Sequence, residues 1–288
     1  MNNPISGLAR ASPMHLVESV SEVGAAVNRA KQGSLAYCSN FFPVTRNLEN
    51  WITHRELFLQ ERDGVSFFFR KDRDFLHLYF CAASLALLQR AIANSPTLGS
   101  EPVVLDLVGK ESALGELLGL FEGAGFRIHN RLFRMARLVP SVPRPADKEA
   151  NSRVAVADKS DGQPIVDLLL RSFDRHAEQI PMLYEIEAAV AAGQIWVVRD
   201  GGVLAGLLFH ETQGLTSTLR YWLVAPQFRS QRFGSWLMHR YFEAHPVIRR
   251  FLLWVVAANT DAIGKYEHYG FAPEGLVDYV LANENILP

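Results

Sequence analysis

The chain has 288 residues, 49% of them hydrophobic, with 29 Lys and Arg against 30 Asp and Glu and a formal charge of −1. So even a balance gives no electrostatic footprint for nucleic acid, and the length suits one large or two ordinary domains with a well-filled core. No apolar run reaches membrane-spanning length, the N-terminus has no signal-peptide pattern, and Cys38 and Cys81 fit neither a disulfide framework nor a metal spacing. The expectation is a soluble, cytoplasmic protein without metal.

In chain order, residues 65–70 and 75–81 read as a hairpin across Lys71-Asp72-Arg73-Asp74. A helix over 85–93, an apolar strand over 103–108 and a helix over 112–122 follow. Trp51, Phe67, Phe68, Phe69 and Tyr79 read as core of this half. Residues 140–150, with Pro140, Pro143 and Pro145 among polar residues, read as a semi-rigid linker. They divide the chain into an N-terminal domain, 1–139, and a C-terminal domain, 151–288.

The second domain reads β-α-α-β-β-β-α-β-α-β. A strand over 153–157 leads to helices over 162–172 and 183–192. Strands over 194–199 and 203–212 form a hairpin across Asp200-Gly201-Gly202. A strand over 216–224 and a helix over 235–242 come next. A strand over 251–256, a helix covering 264–268 and a strand over 278–282 complete the order. The helix end Phe121-Glu122-Gly123-Ala124-Gly125-Phe126 aligns with Tyr266-Glu267-His268-Tyr269-Gly270-Phe271, which reads as an internal duplication.

Between strand 216–224 and the next helix lies Pro226-Gln227-Phe228-Arg229-Ser230-Gln231-Arg232-Phe233-Gly234, a P-x-x-R-x-x-x-x-G loop. A loop ending at a helix N-terminus presents backbone N–H groups without intrahelical acceptors, and with Arg229 and Arg232 it reads as a diphosphate site. This loop resembles the acyl-CoA pyrophosphate loop of the GNAT-type N-acetyltransferases, with Arg232 where the family places its first glycine and Gly234 retained. The stretch from Asn259 to Phe271 is similar to the family's N-x-x-A-x-x-x-Y-x-x-x-G-F.

The resemblance implies an α/β (α+β) fold of two GNAT-like domains, each a mixed, mostly antiparallel sheet flanked by helices. It implies a splayed strand pair in the C-terminal one. The N-terminal copy lacks the arginine loop and has Phe121 where the second copy has Tyr266, so it is expected to be degenerate. By resemblance the co-substrate is acetyl-CoA or another acyl-CoA, without metal. The strand edge Trp222, Leu223 and Val224 would pair with pantetheine. Arg229, Ser230, Gln231, Arg232, Phe233, Gly234 and Ser235 would hold the diphosphate. Asn259 would bind the CoA arm, cap the following helix, or both.

Tyr266 is the expected proton donor to the leaving thiolate, on the reasoning that a phenol titrates near ~10. The general base stays open. Family members that use a carboxylate carry it on the fifth strand, where this chain has Leu252-Leu253-Trp254-Val255-Val256. His210, Glu211 or a water chain are the alternatives, or the amine arrives already neutral. The implied activity is transfer of acetyl from acetyl-CoA to a primary amine of a small molecule, amino acid or peptide, with no nucleic-acid or membrane partner. The alternative is a non-catalytic CoA-binding sensor or partner-binding scaffold. The tandem layout also resembles glycine N-acyltransferases and mycothiol-type synthases, which leaves longer acyl donors open.

Overall fold

A computed structural model describes residues 12–32, 34, 36–95, 97–138 and 152–286. The expected linker, 140–150, lies outside them. The chain divides into two compact units.

The first unit holds the residues up to Arg131 and those from Leu276 onward. Its elements are β1 (His15–Leu16), α1 (Val20–Lys31), β2 (Cys38–Ser39), α2 (Thr45–Thr53), β3 (Leu57–Arg62), β4 (Val65–Asp72), β5 (Phe75–Ala82), α3 (Leu85–Ala93), α4 (Thr97–Ser100), β6 (Val103–Gly109) and α5 (Glu111–Gly123). To these it adds the start of β7 (Arg127–Leu138) and the end of β13 (Ala272–Ala282). The strand order is β1-β3-β4-β5-β6-β13, antiparallel except for β5 against β6. Central β4 buries residues on both faces, so Phe67, Phe68 and Phe69 are all fully enclosed, and Trp51 joins the core as expected. Helix starts follow local chemistry: the Ser19 and Ser84 hydroxyls accept from Glu22 N at 3.2 Å and Leu87 N at 3.3 Å.

In this unit the parallel pair β5/β6 spans only Leu76↔Val103 and His77↔Val104. Beyond it the chain's own Asn40 fills the opening between the strands. Its Nδ2 donates to Leu78 O and Asp106 O, both at 3.1 Å, and its Oδ1 accepts from Phe80 N at 2.7 Å. Adjacent β2 pairs with Cys81 and Ala82.

The second unit runs from Leu132 to Gly275. It takes the later part of β7, then β8 (Val154–Val156), α6 (Gly162–Ser172), α7 (Leu183–Ala191), β9 (Ile195–Asp200), β10 (Val203–Gln213), β11 (Thr216–Val224), α8 (Phe233–Glu243), β12 (Arg250–Val256), α9 (Thr260–His268) and the start of β13. The order of its sheet is β7-β12-β11-β10-β9-β8. One face packs α6 and α7 through Ile165, Leu169, Ile186 and Val190 against Val197, Leu207 and Tyr221. The other packs α8 and α9 through Trp236, Leu237, Tyr241 and Tyr266 against Leu208, Leu219 and Leu253.

Two features differ from the expected division at 139 and 151. The end of β13 pairs β6 in the first unit, from Val277↔Gly109 to Ala282↔Val104. Most of β7 pairs β12 in the second, from Leu138↔Arg250 to Leu132↔Val256. A strand's period-2 pattern fixes which side chains are buried and leaves its neighbour unspecified.

The aligned helix ends adopt the same cap. Gly125 and Gly270 both take left-handed backbone, with φ of 93° and 83°. Phe126 N donates to Phe121 O and Phe271 N to Tyr266 O, each at 3.1 Å. Each glycine supplies the C-terminal conformation that a side chain resists.

Candidate active site

β11 pairs with β12 in parallel only from Thr216↔Arg250 to Leu219↔Leu253. After Leu219 the two strands part, although β11 stays paired to β10 as far as Val224 and β12 to β7 as far as Val256. The register on the β10 side shifts between Phe209 and His210, leaving Arg220 as the extra residue of a bulge where the parting begins.

The edge that this opens is set by alternation. Ala225 N donates to Ala205 O at 2.8 Å, and Leu223 O lies close to Gly206, so residues 223 and 225 turn their backbone groups toward β10. Trp222 and Val224 therefore turn theirs toward the opening. Of the three expected edge residues, Leu223 has its amide committed to the sheet, and Trp222 and Val224 face the opening.

The loop after β11 carries a short 3-10 turn, Pro226–Phe228, and then two non-glycine residues in left-handed backbone, Ser230 (φ 71°) and Arg232 (φ 63°). Arg232 occupies the position where the family pattern has glycine, and it adopts the glycine-like conformation. α8 starts at Phe233, and Trp236 N is the first to close back onto Arg232 O, at 3.0 Å. Helix geometry thus leaves the amides of Phe233, Gly234 and Ser235 without intrahelical acceptors. Arg229, Ser230, Gln231 and Arg232 are exposed at this end. The Phe233 side chain instead enters the core beside Phe228 and Trp236, so only its amide is available.

Gly234 lies in close contact with Trp222. Trp222 Nε1 donates to Gly234 O at 3.1 Å, and a Cβ on Gly234 would meet the indole at 3.2 Å. The same indole lies 5.5 Å from the Tyr266 ring and 5.7 Å from Tyr269. A hollow of ≈ 550 Å³ runs beside it, lined by Trp222, Gly234, Ser235, Asp261, Lys265 and Tyr269 among others. Asn259 caps α9, its side chain accepting from Ala262 N at 3.1 Å. That commits its carbonyl oxygen to the helix.

Tyr266 is 9% exposed. Burial raises its hydroxyl above the ordinary phenol value, with a further push from the Glu178 charge. The expectation of an unshifted phenol is corrected: this hydroxyl stays protonated and hydrogen-bond-donating well past neutral pH.

Neither expected base stands open at the parting. His210 is 6% exposed within Trp196, Tyr241 and His245 rings, and burial lowers its pKa to about 3. Neither ring nitrogen has a hydrogen-bond partner. Glu211 pairs with Arg220 at 3.2 Å. Sequence reasoning missed Glu178, in the segment between α6 and α7, whose half-buried carboxyl is pushed up to about 7 by burial, with the Asp174 charge adding to the rise.

Residues 163–271 match the model of the acetyltransferase (GNAT) family. This segment carries the sequence pattern of a GNAT domain. Among solved structures, the chain resembles a tandem GNAT protein from the clavulanic acid biosynthesis pathway at 12% identity, covering 95% of this chain and 98% of that one with a TM-score of 0.59. It also resembles a GCN5-related N-acetyltransferase from Sphaerobacter thermophilus at 15% identity, 82% and 84% coverage and a TM-score of 0.55. A GNAT-family acetyltransferase from Colwellia psychrerythraea has 11% identity, 94% and 98% coverage and a TM-score of 0.52. No curated protein matches the chain significantly. Over 95% of its length the chain shares the fold of that tandem GNAT protein. The family match supports acyl-CoA-dependent N-acyltransfer. Among the described residues no helix is long and apolar enough to cross a membrane.

Proposed function

We propose that the second unit transfers an acyl group, acetyl in the simplest case, from acyl-CoA to a primary amine of a small molecule, amino acid or peptide by direct attack. The observation that carries this reading is the parting of β11 from β12 after Leu219 and Leu253, with the backbone edge of Trp222 and Val224 turned to the opening and the Trp222 indole packed against Tyr266 and the start of α8.

In this reading the amides of Phe233, Gly234 and Ser235 hold the diphosphate, aided by Arg229 and Arg232. Asn259 contributes by fixing the start of α9. Pantetheine lies along the open edge, where a backbone N–H of Trp222 or Val224 polarises the thioester carbonyl. Tyr266 hands its proton to the sulfur as the C–S bond breaks. Because its pKa is raised, full transfer to a thiolate is uphill unless the phenol regains a proton from the newly acylated nitrogen in the same step. The first unit supplies no second CoA site: Asn40 occupies its strand opening, and Phe121 stands where the second unit has Tyr266.

Calorimetric titration with acetyl-CoA tests this reading. Micromolar binding is expected, weakened at least about tenfold in the Arg229→Ala, Arg232→Ala double variant. Tyr266→Phe is expected to keep that affinity and lower kcat by about 10²- to 10⁴-fold. Absence of binding, or an unchanged kcat, counts against it.

A further inference from the structure

Tyr221 and Trp222 are neighbours on β11 that face opposite sides of the sheet. Tyr221 packs with the α6–α7 side and Trp222 with the α8–α9 side. Where β11 leaves β12 the sheet is open, and a group on one face can reach a ligand lying along the other.

The segment joining α6 to α7 sits at this opening. The Tyr221 hydroxyl donates to Glu178 O at 2.7 Å and Gln179 O at 3.0 Å, and Gln179 takes left-handed backbone at φ 44°. Asp174 N donates to Glu178 Oε2 at 3.0 Å, which fixes the carboxyl through one oxygen and leaves Oε1 outside that bond. The Glu178 charge acts on the hydroxyls of both Tyr221 and Tyr266. Tyr221 lies two residues past Leu219, where β11 leaves β12, so its bonds to Glu178 O and Gln179 O hold this segment beside the gap on the α6–α7 face, with Tyr266 packed on the other face.

Resting on the acyltransferase reading above, we propose that Glu178 is the general base, taking the proton from an acceptor ammonium that enters on the α6–α7 side. β12 offers only apolar and aromatic side chains from Phe251 to Val256, and His210 is walled off. Asp174 acts on the carboxyl through its amide and its charge, the Glu178 charge acts in turn on Tyr221 and Tyr266, and Arg220 and Glu185 also act on Tyr221. A carboxyl titrating near 7 is ionised in a large fraction of molecules at neutral pH and is basic enough to hold the proton it takes.

The step balances. Glu178 accepts one proton from R–NH3⁺, and the freed nitrogen pair forms the C–N bond while the C–S pair leaves with sulfur. Tyr266 protonates the sulfur and regains a proton from the acylated nitrogen. Amide and free CoA thiol result, and Glu178 releases its proton to solvent. The acceptor class this assigns is a primary amine that is cationic in solution.

The test compares two nucleophiles with acetyl-CoA: benzylamine, protonated at neutral pH, and hydroxylamine, which arrives neutral. Wild type is expected to acylate both. Glu178→Gln, which keeps the acceptor for Asp174 N, should lower kcat/KM for benzylamine by about 10²-fold or more and abolish the acid limb near pH 7. Hydroxylamine transfer and acetyl-CoA affinity should change little. An equal loss for both nucleophiles, no loss for either, wild-type transfer to hydroxylamine alone, or weakened acetyl-CoA binding by the variant overturns Glu178 as base. No transfer by wild type to either nucleophile overturns the acyltransferase reading itself, and the base with it.

Discussion

Arg232 shows how one residue can carry two opposing effects. Its φ of 63° is a conformation that costs a side-chain-bearing residue roughly 1 kcal/mol and costs glycine almost nothing. Its charge sits where the proposed diphosphate would bind. Arg232→Gly and Arg232→Ala both remove the charge, and only the glycine variant removes the strain. We expect Arg232→Gly to raise stability by about 0.5 kcal/mol at most in urea unfolding, after allowing for the larger unfolded-state entropy of glycine, and Arg232→Ala to leave it near wild type. Acetyl-CoA affinity should fall in both. If the glycine variant instead binds more tightly, backbone approach outweighs charge at this position. Gly234 is constrained differently: tight packing against the Trp222 indole, not backbone conformation, opposes a side chain there.

At the scale of elements, the two halves share a strand parting and differ in what fills it. In the first unit Asn40 satisfies Leu78 O, Asp106 O and Phe80 N, the kind of edge groups a pantetheine chain would otherwise meet. Asn40→Ala removes three hydrogen bonds and leaves strand polar groups in a confined space, so a loss of about 2–3 kcal/mol in urea unfolding is expected. Asn40→Asp should recover little, because it keeps the acceptor and forfeits both donations. What the sequence made legible follows the range of the interactions involved. Gly125 and Gly270 were readable because a helix cap is local chemistry. The loop from Pro226 to Gly234 was readable because its spacing encodes a strand–turn–helix junction. α1 was missed although Ser19 and Glu22 stand at capping-box spacing. Asn40, Glu178 and the partners chosen by β7 and β13 were not legible, since each acts through contacts between segments far apart in sequence.

For the molecule as a whole, Glu178 and His210 pull stability in opposite directions with pH. His210 has a folded pKa of about 3 against 6.5 for the free side chain. Its contribution is complete above 6.5 and is lost as pH falls from there toward 3. Glu178 has a folded pKa of about 7 against 4.5. Its contribution is complete below 4.5 and is lost as pH rises from there through 7. Each slope approaches at most about 1.4 kcal/mol per pH unit, and that of half-buried Glu178 is reduced by solvent screening. Between pH 4.5 and 6.5 the two slopes oppose, so substituting either group exposes the other. Relative to wild type, Glu178→Gln should gain stability progressively as pH rises from 4.5 to 7. His210→Gln should gain it progressively as pH falls from 6.5 toward 3. Unfolding free energies measured across pH 4 to 8 check both, and flat difference curves would show that neither group is held in the fold away from its ordinary titration. The opposition also links stability to the proposed chemistry: a carboxyl kept protonated to near neutrality costs the fold stability at the pH where, as a base, it would be half ready to act.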